Sequence, residues 1–185
     1  MDFSQIIQTP QQSCLSVIDV QEKLAAVMYN REELIRNCAV LIRIAQALDI
    51  PILWCEQAPK ALGPTVGEVK DLLGDMQPIE KTSFNCCGEA AFIWGLEKIS
   101  PATVFLCGIE SHVCIFQTAI DLLGRGLGVH IIADAVSSRS AENKQIGLAR
   151  MAAAGAVISS TEMLLFELLK NAGHEKFKEL AALIK

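Results

Sequence analysis

Cys114 lies where an apolar segment that predicts a strand, residues 103–107, is followed by a segment with helical spacing of apolar residues, residues 115–123. A thiol near a helix N-terminus faces backbone N–H groups and the positive end of the helix dipole. These stabilise a thiolate and lower the thiol pKa from about 8.5 toward neutrality. The same N–H groups can hold a developing oxyanion. The placement favours a catalytic nucleophile, and a small buried hydrophobic residue is the alternative.

Two charged residues also stand at the ends of predicted strands. Asp19 follows the apolar run 15–18, where a buried carboxylate is costly unless it is paired. Lys81 precedes a polar stretch, residues 82–85. Taken singly, Asp19 is compatible with a cap or turn residue and Lys81 with a solvated lysine. Together they predict a buried ion pair that would change the pKa of a neighbouring thiol.

A sheet is needed to bring these residues together. Short apolar runs alternate with helical patterns along the chain, which is typical of βαβ units with helices on both faces of a parallel sheet. The predicted fold class is α/β, a three-layer αβα sandwich around a doubly wound, mainly parallel, six-stranded sheet with Rossmann-like topology. The predicted strands are residues 14–20, 51–55, 77–81, 103–108, 129–133 and 156–159.

Helices are predicted between these strands. They cover residues 32–48, 88–99, 113–123, 142–154 and 161–171, and a short amphipathic helix is predicted within residues 173–184. Ser140 and Thr161 are the predicted N-caps. Residues 57–67, which contain Pro59, Gly63 and Pro64, are predicted to be a loop on the strand-end face, where ligand pockets commonly form.

Length and charge restrict the classes of partner. The 185 residues contain no linker or repeat, which predicts a single domain over residues 1–185. The net charge of −5, without a basic cluster, predicts no nucleic-acid or anionic-membrane binding. No apolar run reaches the roughly 18 residues of a spanning helix. The expected partners are a small-molecule substrate and further copies of the chain, as a dimer, tetramer or larger homo-oligomer.

The cysteines and histidines bear on compartment and metal binding. Seven cysteines, an odd number, and an N-terminus without a secretory signal predict reduced thiols and a cytoplasmic location. There is no C-x-x-C spacing. His112, His130 and His174 are far apart in the sequence, so a structural role is favoured for each. We therefore predict neither a metal site nor a cofactor.

The order and spacing of these motifs resemble the isochorismatase-like cysteine hydrolases, and most closely the small isochorismatase domain-containing proteins. The resemblance extends over nearly the whole chain. Its motifs are Val-Ile-Asp-Val-Gln at 17–21, Glu-Lys-Thr-Ser-Phe at 80–84, Gly-Ile-Glu-Ser-His-Val-Cys at 108–114, Gln-Thr-Ala at 117–119, Gly126, Asp-Ala-Val-Ser-Ser at 134–138, residues 56–66, and the tail around His174 and Phe177.

The resemblance implies an Asp-Lys-Cys triad. In it Cys114 is the nucleophile, Asp19 is the general base, and Lys81 orients the pair and stabilises charge. The resemblance also implies a cis peptide bond between Ile109 and Glu110, with the N–H groups of Glu110 and Cys114 forming an oxyanion hole. Glu110 replaces the small residue usual in the family, so its carboxylate is expected either in the pocket or at an interface.

Nicotinamidases resemble this fold but carry an Asp-x-His-x-His metal motif where this chain reads Trp-Cys-Glu-Gln-Ala at 54–58. The implied activity is metal-independent hydrolysis of an amide, carbamoyl or related carbonyl compound, at C–N bonds other than peptide bonds, through a covalent acyl-enzyme. Two alternatives remain open: a scaffold or partner-binding protein with little hydrolytic activity, and a redox sensor acting through Cys114. The predicted pocket residues are Gln21, Trp54, Gln57, Phe84 and His112.

Overall fold

A computed structural model of the chain describes residues 9–184. Within them, six parallel strands form one sheet in the order β3-β2-β1-β4-β5-β6. The strands are β1 (Ser13–Ile18), β2 (Ile52–Gln57), β3 (Ile79–Lys81), β4 (Thr103–Ile109), β5 (Gly128–Ser137) and β6 (Val157–Ser159). The predicted α/β fold class is confirmed, and the described sheet is parallel throughout.

Helices cover both faces of this sheet. They are α1 (Glu22–Ala25), α2 (Arg31–Ala47), α3 (Pro59–Leu62), α4 (Gly67–Leu73), α5 (Ala90–Ile99), α6 (Phe116–Gly124), α7 (Ala141–Ala153), α8 (Thr161–Leu169) and α9 (Phe177–Ala181). One apolar core packs α2, α4 and α8 against one face, and a second core packs α5, α6 and α7 against the other. In the part of the chain from residue 9 to residue 184, no helix combines the length and apolar content needed to cross a membrane.

The two central strands, β1 and β4, are buried along their whole length. Neither contains a charged residue, as is typical of parallel strands covered on both faces. Side chains alternate between the two cores: Leu15 and Val17 belong to the α2 side, whereas Cys14 and Ile18 belong to the α6 side. These strands are therefore rigid supports for whatever follows them.

The strand order reverses between β1 and β4. From β1 the chain adds β2 and then β3 on one side, and afterwards returns to place β4, β5 and β6 on the other side. In such sheets, a crevice opens at the carboxyl ends of the two strands where the order reverses, and ligands bind there. Asp19 directly follows β1, and Cys114 lies in the turn that follows β4.

Gly108 allows β1 and β4 to approach closely beside this crevice. Its φ of +118° lies in a region that L-residues rarely adopt, and a Cβ atom there would lie 1.9 Å from the carbonyl oxygen of Ile18. Only glycine satisfies both conditions. The close strand approach places the chain segments that carry Asp19 and Cys114 side by side.

Several predicted boundaries are wrong. The first strand ends at Ile18 rather than at residue 20, because Asp19 adopts a left-handed φ of +55°. The fifth strand continues to Ser137 instead of ending at residue 133. Residues 57–67 are not one irregular loop, since Gln57 belongs to β2 and α3 occupies Pro59–Leu62.

One of the two predicted N-caps is confirmed and the other is wrong. Ser140 is confirmed as an N-cap, because its Oγ accepts the Asn143 N–H at 3.2 Å. The prediction for Thr161 is wrong: Ser160 caps α8, and the Thr161 N–H instead donates to the Asp134 carboxylate at 2.8 Å. The helix predicted over 113–123 is a π-helical turn, Ser111–Ile115, followed by α6.

Candidate active site

Asp19 is held at the carboxyl end of β1 by its own backbone. Its N–H donates to the carbonyl of Cys55 on β2 at 3.0 Å, and its carbonyl accepts the Gln21 N–H at 2.7 Å. The carboxylate is fully buried. A left-handed residue at this point turns the chain out of the strand, so the side chain leaves the regular alternation of β1.

Lys81 reaches the same place from the edge of the sheet. It ends β3, which is separated from β1 by β2, so two strand spacings of about 4.8 Å each must be crossed. The extended Lys81 side chain and the Asp19 side chain span this distance together, and Lys81 Nζ lies 2.7 Å from Asp19 Oδ2. Both side chains of this ion pair are completely buried. The pair predicted from the sequence is thus present as a contact in the structure.

Cys114 completes the cluster from the other side of β1. It lies in the π-helical turn after β4, and its Sγ accepts from Lys81 Nζ at 3.6 Å. This turn packs against α7 at Gly147, where a Cβ atom would lie 2.9 Å from the Ser111 carbonyl oxygen. The sulfur is nearly inaccessible, since only 6% of Cys114 is exposed. The Ile109–Glu110 peptide bond just before the turn is cis.

Electrostatics favour a neutral thiol beside an ion pair. Burial and the negative charge of Asp19 raise the pKa of Cys114 to about 12, and the positive charge of Lys81 only partly opposes them. The expectation that this pKa lies below its ordinary value is therefore wrong. Burial also raises the pKa of Asp19, although Lys81 opposes the rise. Burial is the largest single effect on Lys81 and lowers its pKa, but the Asp19 carboxylate together with Cys114 and Cys86 outweighs it and holds the pKa above its ordinary value.

These shifts define what the cluster can do chemically. Asp19 is more basic than an ordinary carboxylate, so it is better suited to accept a proton from the thiol. Moving that proton from Cys114 to Asp19 leaves the net charge of the cluster unchanged, with Lys81 cationic in both states. Proton transfer within the cluster is therefore a chemically possible route to the thiolate.

Two predicted pocket residues, Gln57 and Gln21, lie at the cluster. Gln57 Oε1 accepts from Lys81 Nζ at 2.5 Å. Gln21 brackets the Gln57 backbone, because its Oε1 accepts the Gln57 N–H at 2.8 Å and its Nε2 donates to the Gln57 carbonyl at 3.0 Å. Both side chains are therefore part of the support of Lys81.

Two other predicted pocket residues, Trp54 and Phe84, lie away from the buried cluster. Trp54 belongs to the core on the α2 side, and its Nε1 donates to Thr65 Oγ1 at 2.9 Å. Strand alternation accounts for this, since Trp54 and Gln57 differ by an odd number of positions and so point to opposite faces of β2. Phe84 is 54% exposed, so it does not enclose the buried cluster.

His112 and Glu110 lie near the π-helical turn but contact other groups. His112 Nδ1 is 2.9 Å from Ser138 Oγ. The Glu110 carboxylate accepts both the backbone N–H and the Nε–H of Arg139 at 3.2 Å. The carboxylate is thus directed toward Arg139, in a partly exposed ion pair.

Hydrogen bonds that were not predicted from the sequence shape the segment after β3. The carbonyl of Ser83 accepts from Lys81 Nζ at 3.2 Å. The Glu89 carboxylate accepts the N–H groups of Thr82 and Ser83 at 3.0 and 3.1 Å. These backbone N–H groups lower the pKa of Glu89. An acidic residue just before α5 was the available signal, but its partners lie upstream of it rather than in the helix.

A cleft of about 380 Å³ opens beside Lys81 on the edge-strand side. Its walls come from α3, β3 and the following segment, including Lys60, Glu80 and Glu89. Neither Asp19 nor Cys114 borders it. Among residues 9–184, no three histidine, cysteine or acidic side chains converge in a way that would hold a metal ion.

The family model of the isochorismatase domain matches residues 13–163. The chain belongs to the isochorismatase domain family. Members of this family are generally hydrolases, and the resemblance identified in the sequence is confirmed. Isochorismatase domain-containing protein 2A from Mus musculus is 40% identical over 177 residues, covering 95% of this chain and 84% of that protein.

Solved structures of relatives have the same fold. MAR1 ribonuclease from Caenorhabditis elegans has a TM-score of 0.90 and 41% sequence identity, over 96% of this chain and 91% of that chain. The YcaC gene product from Escherichia coli, an octameric hydrolase of unknown specificity, has a TM-score of 0.91 and 19% identity, over 97% of this chain and 89% of that chain. At that identity, the second comparison shows the shared fold only.

Proposed function

We propose that this member of the family is a metal-independent cysteine hydrolase with an Asp19-Lys81-Cys114 triad. It acts on a small amide, carbamoyl or related carbonyl compound. One observation carries the proposal: a fully buried Lys81 ammonium contacts both the Asp19 carboxylate, at 2.7 Å, and the Cys114 sulfur, at 3.6 Å. Burying three such groups is costly, and clusters of this kind are concentrated at active sites.

In the first half of the reaction, Cys114 Sγ attacks the substrate carbonyl carbon while its proton passes to Asp19. The C=O electron pair moves onto oxygen, and the backbone N–H groups of Glu110 and Cys114 are the proposed donors to this oxyanion. Collapse of the tetrahedral intermediate breaks the C–N bond. The departing nitrogen takes the proton from Asp19, and a thioester with Cys114 remains.

In the second half, Asp19 takes a proton from water as the water oxygen attacks the thioester carbon. Collapse of this second intermediate breaks the C–S bond and releases the acid. The leaving Cys114 sulfur recovers the proton from Asp19, which restores the starting state. Lys81 remains protonated throughout, which agrees with its raised pKa, and stabilises each transient thiolate.

A substrate screen with a matched set of variants tests this proposal. Amides, carbamoyl compounds and vinyl ethers are incubated with the wild-type chain, with Cys114→Ser and with Cys107→Ser, a buried cysteine in β4 that serves as the control. We expect turnover of a C–N substrate that is lost in Cys114→Ser and kept in Cys107→Ser. We also expect an acyl adduct on the peptide containing Cys114 by mass spectrometry, and turnover unaffected by EDTA. Full turnover by Cys114→Ser would exclude the mechanism.

A second candidate function is a scaffold with little hydrolytic activity. It is favoured by the low accessibility of the sulfur and by exposed apolar side chains, among them Val27, Tyr29 and Trp94. This reading predicts no turnover of any compound in the screen and no selective reactivity of Cys114. Light scattering coupled to size exclusion tests the proposed homo-oligomer under either function.

RNA is included in the screen because one relative is named a ribonuclease. The net charge of −5 is unfavourable for binding a phosphate backbone. We therefore expect no RNA cleavage. If RNA is cleaved and Cys114→Ser retains that cleavage, the carbonyl chemistry proposed for the triad does not describe the activity.

A further inference from the structure

Gln57 occupies the position between the two charged partners. It ends β2, the strand that separates β1 from β3, and it is in register with Lys81. Its side chain points to the α6 side of the sheet, because it shares strand parity with Leu53 and Cys55, which belong to that core. Gln57 is 8% exposed, so water competes little for its amide group.

The orientation of this amide is determined by its two partners. Gln57 Nε2 donates to the carbonyl oxygen of Thr82 at 2.9 Å, and that oxygen can only accept. Gln57 Oε1 therefore faces Lys81 Nζ, from which it accepts at 2.5 Å. A reversed amide would place an N–H group against the ammonium and a carbonyl against a carbonyl.

The ammonium has three hydrogens and four neighbours that accept them. The two shortest contacts are with Gln57 Oε1, at 2.5 Å, and Asp19 Oδ2, at 2.7 Å. The third hydrogen is left for the Ser83 carbonyl, at 3.2 Å, and the Cys114 sulfur, at 3.6 Å. The two short bonds thus determine the position and rotation of the ammonium, and with them the hydrogen directed toward the sulfur.

We propose that Gln57 is a positioning residue for the reaction, which holds the Lys81 ammonium where it contacts Asp19 and Cys114 together. The inference rests on the proposed function. A neutral acceptor meets two requirements at once. It satisfies a hydrogen of a buried cation, and it adds no negative charge that would oppose thiolate formation. A carboxylate at residue 57 would satisfy the first requirement and violate the second.

The test compares Gln57→Glu and Gln57→Leu with Thr65→Val. Thr65 is the control because it joins Trp54 and Glu56 on the opposite face of β2 and does not touch Lys81. Alkylation of Cys114 by iodoacetamide is followed by peptide mass spectrometry from pH 5 to pH 12. For a substrate found in the screen, kcat and KM are measured over the same range. Urea unfolding reports the stability of each variant.

In Gln57→Glu, we expect alkylation of Cys114 at pH 7.5 to fall at least tenfold and the midpoint of its pH profile to rise. The added charge raises the pKa of both Asp19 and the thiol. In Gln57→Leu, we expect kcat to fall about tenfold, with KM changed less than twofold, because the ammonium loses one of its two short bonds. In Thr65→Val, we expect a lower urea midpoint, whereas the pH midpoint of Cys114 alkylation is unchanged.

The outcomes separate this inference from the proposed function. If wild-type Cys114 reacts no faster than the other six cysteines and no substrate is found, the proposed function fails. If Cys114 is selectively reactive but both Gln57 variants keep its pH midpoint, Gln57 has a structural role only and the inference is wrong. Glu is isosteric with Gln and retains an acceptor for Lys81, so Gln57→Glu decides the question even if Gln57→Leu does not fold.

Discussion

Replacing Lys81 by methionine removes the positive charge that contacts both Asp19 and Cys114. Methionine has nearly the length of lysine and fills the buried channel without a charge. The ammonium of Lys81 is 3.6 Å from the Cys114 sulfur. At an effective dielectric constant of about 20, a unit charge at this distance stabilises a thiolate by about 4–5 kcal/mol, or roughly three pKa units.

The loss of Lys81 also affects the base. Burial already raises the pKa of Asp19 while its counterion is present. Without Lys81, the pKa of Asp19 rises further, because the buried carboxylate loses its counterion. The variant therefore lacks a cation that stabilises the thiolate and the counterion that keeps the Asp19 carboxylate charged. We expect turnover and Cys114 alkylation at pH 7.5 to fall by about 10²- to 10³-fold.

Stability separates this electrostatic effect from unfolding. Breaking one side of a buried ion pair costs about 3–5 kcal/mol, so Lys81→Met should lower the urea midpoint. The double variant Asp19→Asn/Lys81→Met removes the uncompensated carboxylate and should recover much of that stability without recovering reactivity. Lys98→Met, which removes an exposed lysine lying over Trp94, is the control. If Lys81→Met keeps more than a tenth of the wild-type alkylation rate with the same pH midpoint, the electrostatic reasoning is refuted.

Three further outcomes follow from the same contacts. Asp19→Asn should lower turnover at least about 10²-fold. The charge of Asp19 raises the pKa of Cys114, so the thiolate of this variant should form at a lower pH than in the wild type. The thiolate is followed by its absorbance at 240 nm, taken relative to Asp19→Asn/Cys114→Ser. An unchanged thiol titration would contradict this. Burial raises the pKa of Cys14, Cys87 and Cys114 to about 12. Unfolded thiols lose their protons from about pH 9, so the free energy of unfolding should fall between about pH 9 and 12, by up to roughly 1.4 kcal/mol per pH unit for each thiol; equal urea midpoints at pH 8.5 and 10.5 would refute it. Gly108→Ala should lower the free energy of unfolding by more than about 3 kcal/mol, because the added Cβ would lie 1.9 Å from the Ile18 carbonyl oxygen. Gly67→Ala is the control and should fold normally, since no atom lies within 4 Å of its added Cβ. Similar urea midpoints for the two variants would refute this reasoning.

The sheet and the positions of Asp19, Lys81 and Cys114 could be predicted because they depend on strand ends. Apolar runs predict the strands, and parallel strands bring their carboxyl ends to one edge. The direction of individual side chains was harder to predict. Alternation along β2 places Gln57 and Trp54 on opposite faces of the sheet. Deciding which face holds the site also requires the register of β2 against β1, which short apolar runs do not define.

Asp19 shows why alternation alone also fails. Counting along β1 places Asp19 on the same face as Leu15 and Val17, which pack on the α2 side. Its φ of +55° removes it from the strand pattern, and its carboxylate meets Lys81 instead. A left-handed aspartate before Val20 and Gln21 has no distinctive sequence signal, because Asp tolerates this conformation in many turns.

The pKa of Cys114 depends more on tertiary structure than on local sequence. A helix N-terminus and a lysine both favour a thiolate, and both can be inferred from sequence motifs. The effect of Lys81 is smaller than that of burial, which depends on packing by distant segments such as α7. The result is a thiol that is protonated at neutral pH. In the proposed mechanism, its reactivity therefore depends on proton transfer to Asp19 and on the charge of Lys81.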